Sequence, residues 1–520
     1  MIMQFLKHIQ LIQGGMGVYV SNWRLARAVA MEKPGITAGT VSGTALDVVY
    51  TRLLQLGDPG GHIRRAFSAF DTQFRTQIGR RLLGQYYIEG GKPPGARYKN
   101  APIHTARPAN NRSTIPMPDS PDAAVELTLN AETIELIIIT AFAEVWLAKQ
   151  GHGGLIFINF LNKVELPLIY AMYGAMLAGV DGIVVGAGNP EGLPAICTAL
   201  AYHEPVSYQI PVLYRESGET FTLPFDPSQV ADGALAQAPL PKPAFLAIVS
   251  LENLVIALAQ SPTGAPDGFI IEHHTAGGHN AGPQGPLRKD ALGQPVYSEM
   301  DEPDLAAIRQ VGLPFWLAGG YGSREKLVQA RALGAAGIQA GSVFALTEES
   351  GMKPAYRTAI LKALKDSADD EALVQTTLYS PTGYPFKVVQ LPGTLSEDSV
   401  FDSRRRVCDI GLLQQRGLGK PDQHGMRRLF QRCPAAPAED YIRKRGLPRN
   451  MEGKRCLCNG LLACVGLGQA GLPVMDGSDS SSEEPAIVTL GNHLDGIRRL
   501  SRNGQTLYWA RDVVADILAD

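Results

Sequence analysis

The chain has 520 residues, 45% of them apolar and 19% charged, with a formal net charge of −2. It is long enough for one large domain and a smaller one, and its near-neutral balance excludes a general attraction to nucleic acid or to an anionic membrane surface. No run attains the roughly 18–20 uncharged apolar residues that a bilayer span requires, because Glu144 interrupts the nearest stretch, residues 136–148. Lys7 and His8 stand where a signal peptide needs its apolar core, so a cytoplasmic protein is expected.

From the N-terminus onward, short apolar or β-branched runs alternate with stretches of helical spacing. Residues 9–13, 36–40, 155–159, 182–185, 246–249, 268–271, 314–318 and 337–340 read as eight strands. Most lead into a helical segment, as at residues 323–333, where Ser323 can cap the start and Gly334 stop the end. Eight strand-then-helix units predict an α/β fold, a (β/α)8 TIM barrel over residues 1–395, rather than an open doubly wound sheet.

Two excursions interrupt the repeat. Residues of about 58–121 are rich in Gly, Pro and Arg and fit no regular unit; those of about 202–243 carry Pro205, Pro211, Pro224, Pro227 and Pro241. Insertions of that size in a barrel build a lid or a subunit contact, so a homo-oligomer is one expected use of them. Past residue 395 the alternation stops. Residues 396–520 form a cysteine-containing C-terminal region, in which the acidic stretch at about 476–485 reads as an exposed linker before an amphipathic segment at 507–518.

Glycines punctuate the strand ends. Gly14-Gly15-Met16-Gly17 closes the first strand, where bare backbone lets a planar ligand approach and offers N–H groups to it. Gly319-Gly320 with Gly322, and Gly341-Ser342, follow the seventh and eighth strands, the position at which barrels build a phosphate site from backbone N–H groups and a helix start. Gly277-Gly278 ends the sixth strand and presents His279 where barrel enzymes keep reactive groups. His273 and His274 share that strand end and alternate in face, so at most one of them points into the mouth. On the residues alone the three histidines tie as acid/base candidates.

Three segments are diagnostic: Ile12-Gln13-Gly14-Gly15-Met16-Gly17, Thr275-Ala276-Gly277-Gly278-His279-Asn280 and Phe315-Trp316-Leu317-Ala318-Gly319-Gly320-Tyr321-Gly322. They resemble the nitronate monooxygenase (2-nitropropane dioxygenase-like) family. Ser380-Pro381-Thr382-Gly383-Tyr384-Pro385-Phe386-Lys387 and Cys456-Leu457-Cys458-Asn459 are similar to its longer bacterial branch. The resemblance runs from about residue 10 to 468 and implies an FMN-binding barrel with His279 as the catalytic group. It implies oxidation of an alkyl nitronate by O2 to a carbonyl compound and nitrite. The alternative within the same superfamily is an enoyl-thioester reductase that uses NAD(P)H, with an acyl-carrier partner in a fatty acid or polyketide synthase system. His279 would serve as a cationic anchor or a neutral base, since its ordinary pKa of about 6.5 allows both. The chain departs from the pattern at Glu272-His273-His274, where a Gly or Pro is expected, and begins so close to the first strand that the barrel's bottom is expected to be thinly covered.

Cys408, Cys433, Cys456, Cys458 and Cys464 lie within 57 residues, whereas Cys197 is alone before them. Thiolates gathered in an irregular, Arg-rich segment can hold zinc or an iron–sulfur cluster, and Cys408, Cys433, Cys456 and Cys458 are the expected ligands. Cys464, inside an apolar run, is the spare.

Overall fold

The computed structural model describes residues 5–110, 112–120, 122–366, 370–470, 472–473, 481–501 and 507–519. Eight strands close into a parallel barrel: β1 (Leu11–Gln13), β2 (Thr37–Ser42), β3 (Leu155–Leu161), β4 (Gly182–Gly186), β5 (Ala244–Val249), β6 (Gly268–Glu272), β7 (Phe315–Ala318) and β8 (Gly337–Ala340). Each pairs with its neighbour in sequence, and β8 returns to β1 with Leu11 beside Ile338. The eight are the strands expected from the apolar runs, with ends moved by a few residues. They read clearly because a barrel strand is buried on both faces and shows as a continuous apolar run.

Alternation along each strand sorts the side chains. Ile12, Ala38, Phe157, Val184, Leu246, Ile270 and Trp316 form one buried cluster that fills the barrel. Leu6 and Ile9 belong to the same cluster and are fully buried, and the Trp316 indole N–H donates to the Ile9 carbonyl at 2.9 Å. The expectation of a thinly covered bottom is therefore corrected. Few residues precede β1, but their apolar side chains turn inward and plug it.

Two residues further along the strands, the inward positions become Thr40, Asn159, Gly186, Ile248, Glu272 and Ala318. The interior thus changes from apolar plug to polar mouth at the C-terminal ends. Outside, the helix Ala131–Lys149 packs in the core with Glu144 wholly buried. Burial pushes that carboxyl up to about 8, so it sits in the core uncharged and accepts the Tyr50 hydroxyl at 2.6 Å. The same Glu144 that broke the apolar run in sequence is an interior residue.

The first excursion is more regular than its composition suggests. It holds the helices His62–Phe74 and Ile78–Tyr86, whose faces carry Ile63, Phe67, Phe70 and Leu82 into the core. The two excursions also meet. Ala124–Thr128, just after the first, runs parallel to Thr220–Phe225 of the second, and Arg107–Pro108 and Val206–Gln209 extend them to a four-stranded sheet.

The C-terminal region folds back onto the barrel. The Val389 N–H donates to the Val488 carbonyl at 2.8 Å, and Lys33 Nζ donates to the Leu518 carbonyl at 3.0 Å next to the helix Ala510–Ile517. Residues 476–480 of the expected acidic linker lie outside the described residues. Glu484 does not behave as linker: it is buried and ion-paired with the equally buried Arg404, because a carboxylate leaving water needs a cation beside it. Among the described residues no helix is long and apolar enough to cross a membrane.

Candidate active site at the barrel mouth

All eight strand ends contribute to one cavity, from Gly14 after β1 to Ser342 after β8. The loop after β1 is tied down first. The Gly14 N–H donates to the Ala340 carbonyl at 2.7 Å, and the Met16 N–H donates to Ser21 Oγ at 2.9 Å. Gly15 packs so closely on β3 that an added Cβ would lie 2.2 Å from Asn159 Cβ. Gly319 and Gly320 adopt φ of +86° and +81°, the left-handed region that side chains disfavour. Their own Cβ atoms would meet the His273 carbonyl oxygen at 2.8 Å and His493 Cδ2 at 2.7 Å. Ser342 opens the short helix Ser342–Ala345. The residues read from the sequence as cofactor-binding, Gly14, Gly15, Met16, Gly17, Gly278, Gly319, Gly320, Gly322, Gly341 and Ser342, all line this cavity, and so does His279.

His279 is held by a segment 101 residues away in sequence. Its Nε2 lies 2.6 Å from Ser380 Oγ, which is itself 2.7 Å from Thr382 Oγ1. The imidazole meets the Phe386 ring edge-on at 4.9 Å, and the Asn280 N–H donates to the Pro385 carbonyl at 3.2 Å. Burial, helped by the nearby Lys163 cation, pushes the His279 pKa down to about 3. That favours a neutral imidazole across the physiological range, and with it the neutral role over the cationic anchor, since a buried imidazole near a lysine disfavours a second charge.

The tie among the histidines is resolved by geometry. His273 turns away to Glu302 at 2.9 Å and Thr275 at 2.8 Å, and His274 stacks on Tyr297 with ring centres 3.8 Å apart. The side chain that β6 sends into the mouth is instead Glu272, whose carboxyl burial pushes up to about 8. Sequence reading had marked Glu272 only as a bulky departure, although the two-residue alternation from Ile270 places it inward. Gln339 was likewise missed. It lines the cavity, and its Oε1 is buried without a hydrogen-bond partner.

The cover over the mouth differs from expectation. Among the described residues neither excursion lines the cavity; Phe386, Leu412, Leu413, Leu457, Cys458, Leu461 and residues 489–491 with His493 do. The Gly278 N–H donates to Thr489 Oγ1 and the Gly491 N–H to Ser342 Oγ, both at 2.8 Å. A chain segment 211 residues beyond Gly278 and 149 beyond Ser342 thus bridges the loops after β6 and β8. The lid expected of the excursions is corrected to one built by the C-terminal region, because strands of both excursions join a separate sheet through Ala124–Thr128.

The clustered cysteines gather as well. Cys408, Cys433, Cys456 and Cys458 line a second, small cavity, and Cys464 is buried elsewhere in the apolar core. They are not set for a single ion. Among the described residues the one group of three ligand atoms within 4.8 Å of one another is His273, His274 and Glu302, with no cysteine in it.

Comparison with known proteins places part of the chain. Residues 244–378, β5 to just beyond β8, match the family model described as nitronate monooxygenase. That span contains the Ala-Gly-Gly-His and Ala-Gly-Gly-Tyr-Gly segments, so the family resemblance read from the sequence stands. Among curated proteins none matches the chain. The chain is similar to FabK from Thermotoga maritima at 14% identity, over 99% of this chain and 94% of that one, with a TM-score of 0.46. It is similar to nitroalkane oxidase from Streptomyces ansochromogenes at 13% identity, over 100% and 97%, with a TM-score of 0.42. Superpositions that loose add nothing to the fold, which the closed barrel establishes by itself.

Proposed function

We propose that this chain, whose residues 244–378 match the nitronate monooxygenase family model, is an oxidoreductase that binds FMN in the barrel mouth and oxidises an alkyl nitronate there. The observation that carries the reading is convergence: a neutral histidine and four glycine-bearing loops share one cavity at the ends of the strands. The residues fit a flavin. Bare backbone at Gly14, Gly15 and Gly17 suits a flat ring, and the orphaned Gln339 Oε1 is an acceptor that a ring N–H can satisfy. Gly319, Gly320, Gly341 and Ser342 would hold the phosphate through backbone N–H groups. Bound FMN would supply the electron acceptor, with O2 as the final oxidant.

The chain's own residues do the rest. Loops after β6, β7 and β8 and the segment 489–493 exclude water from the mouth. His279, with Nε2 engaged by Ser380, is a poor base at a pKa of about 3 but a rigid, neutral hydrogen-bonding group. Its task is to orient an oxygen of the substrate. Glu272, protonated below about pH 8, lines the same cavity and can lend a proton.

One observation favours a second reading, reduction of an enoyl thioester by NAD(P)H. With His279 neutral and Glu272 protonated, neither of these two side chains carries a charge that would hold an anion, which suits a neutral thioester carbonyl. Anaerobic mixing with alkyl nitronates, NADH and NADPH in turn, followed at the flavin absorbance band, separates the two. Bleaching by nitronate within the turnover time is expected. Bleaching by NAD(P)H alone, with none by nitronate, would replace the first reading with the second.

A further inference from the structure

We infer that a polar cleft behind the segment holding His279 binds a small molecule that carries phosphate groups. The cleft lies between the loop after β6, the strand Val374–Thr377 and the turn at residues 449–454. Its volume of about 670 Å³ falls in the range of roughly 300–1,000 Å³ usual for small-molecule sites. Among the described residues it shares no lining residue with the barrel mouth.

Charge is what sets it apart. Lys289, Arg449 and Lys454 face the cleft, against one carboxylate, Glu452. Among the described residues none of the four makes an ion pair, and the side chains of Lys289 and Arg449 have no hydrogen bond either. Lys454 is held in place, its Nζ donating to the Leu378 carbonyl at 2.7 Å. Burial, with the Lys289 cation nearby, keeps the Lys454 pKa below the usual lysine range. Asp290, next to Lys289 in sequence, does not line the cleft, and its Oδ1 accepts the Leu292 and Gln294 N–H groups, both at 2.9 Å. Elsewhere comparable cations meet acids, as at Arg427–Glu219 and Lys149–Asp181. Cations gathered without a counter-charge repel one another, and an anion between them removes that cost.

The donors fit phosphate. Two lysine ammoniums act on it as point charges, and the planar fork of Arg449 can take two oxygens at once. The side-chain amides of Gln375, Gln415 and Asn450 also line the cleft without a partner among the described residues, ready for the polar body of a ligand. The floor is pinned, because the Thr376 N–H donates to Gln294 Oε1 at 2.7 Å and ties the strand to the loop after β6. Recognition here is by side chains rather than by a glycine-rich turn of the dinucleotide-binding type. Pro381, Thr382 and Gly383 form one wall, and Thr382 Oγ1 meets Ser380 Oγ, the hydroxyl on His279. A ligand in the cleft therefore borders the support of the mouth's histidine.

Titration calorimetry of FMN-saturated protein with pyrophosphate, coenzyme A and pantetheine tests the inference. Pyrophosphate, coenzyme A or both should bind, with an affinity that falls as salt rises, whereas pantetheine, a tail without phosphate, should not. Binding of pyrophosphate assigns the cleft to phosphate alone; binding of coenzyme A only assigns it to an organic phosphate whose body contributes. Lys289→Ala combined with Arg449→Ala removes two exposed side chains that hold nothing in the fold, and should weaken binding at least tenfold. Binding of neither phosphate compound, equal binding of pantetheine, equal affinity in the double variant, or a wild-type affinity indifferent to salt would each overturn the inference. Excess FMN keeps the cradle after β7 and β8 filled and the double variant leaves that cradle intact, so failure here leaves the reading of the mouth untouched.

Discussion

His279→Ala is expected to lower turnover by about 10²–10³-fold while the protein keeps its FMN. The size follows from the role. Removing one preorganised hydrogen-bonding group from a water-excluded mouth costs that much, and no backbone contact to the cofactor is touched. The Ser380 hydroxyl, left without the imidazole at 2.6 Å, can turn to Thr382 Oγ1 at 2.7 Å, so the variant should fold. The pH profile adds a second readout. Because His279 is held near 3, the wild-type rate should show no limb centred near 6.5. Near-normal turnover in the variant, or a wild-type limb near 6.5 that the variant lacks, would remove His279 from this role.

Gly319→Ala should bind FMN at least about tenfold more weakly and melt at lower temperature. The left-handed φ of +86° costs a side-chain-bearing residue about 1–2 kcal/mol, and each 1.4 kcal/mol is tenfold in an equilibrium. The new Cβ would also stand 2.8 Å from the His273 carbonyl oxygen, a backbone atom that cannot swing aside. Relief requires the loop after β7 to move, and that loop is the proposed phosphate cradle. Gly293→Ala is the control, since its φ of +78° carries the same backbone cost with no atom within 4 Å of the added carbon. Titration of flavin-free protein with FMN, watched by quenching of flavin fluorescence, gives the comparison. Equal affinity in Gly319→Ala and wild type would detach that loop from the cofactor.

Much of this architecture was legible because barrel strands carry a strong local signal. Residues 268–271 and 337–340 are short, mostly apolar runs opened by a glycine, and both became strands within a residue of their expected ends. Glu272 was legible in principle, being two residues past the inward Ile270, but it was marked only as a departure from the family pattern. Thr489, Gly491 and His493 were not legible at all. Nothing near them in sequence marks a cavity; they reach it because the chain returns to the barrel beyond residue 484 and hydrogen-bonds to Gly278 and Ser342. The helices of the first excursion were hidden for a different reason. Glycine, proline and arginine between and around them masked the apolar spacing of Ile63, Phe67, Phe70 and Phe74, which tertiary burial then used. The cysteines showed as a cluster in sequence, and folding drew four of the five together while leaving Cys464 in the apolar core, as its neighbours Leu461, Leu462, Ala463 and Val465 imply.

The flavin itself is the most direct test. The proposed function rests on one proposed phosphate cradle after β7 and β8, and among the described residues no second site of the dinucleotide-binding type offers itself to an adenylate. Purified protein, denatured and separated from its ligand, should release about one FMN per chain and no FAD. Colourless protein that takes up no FMN on reconstitution would contradict the account.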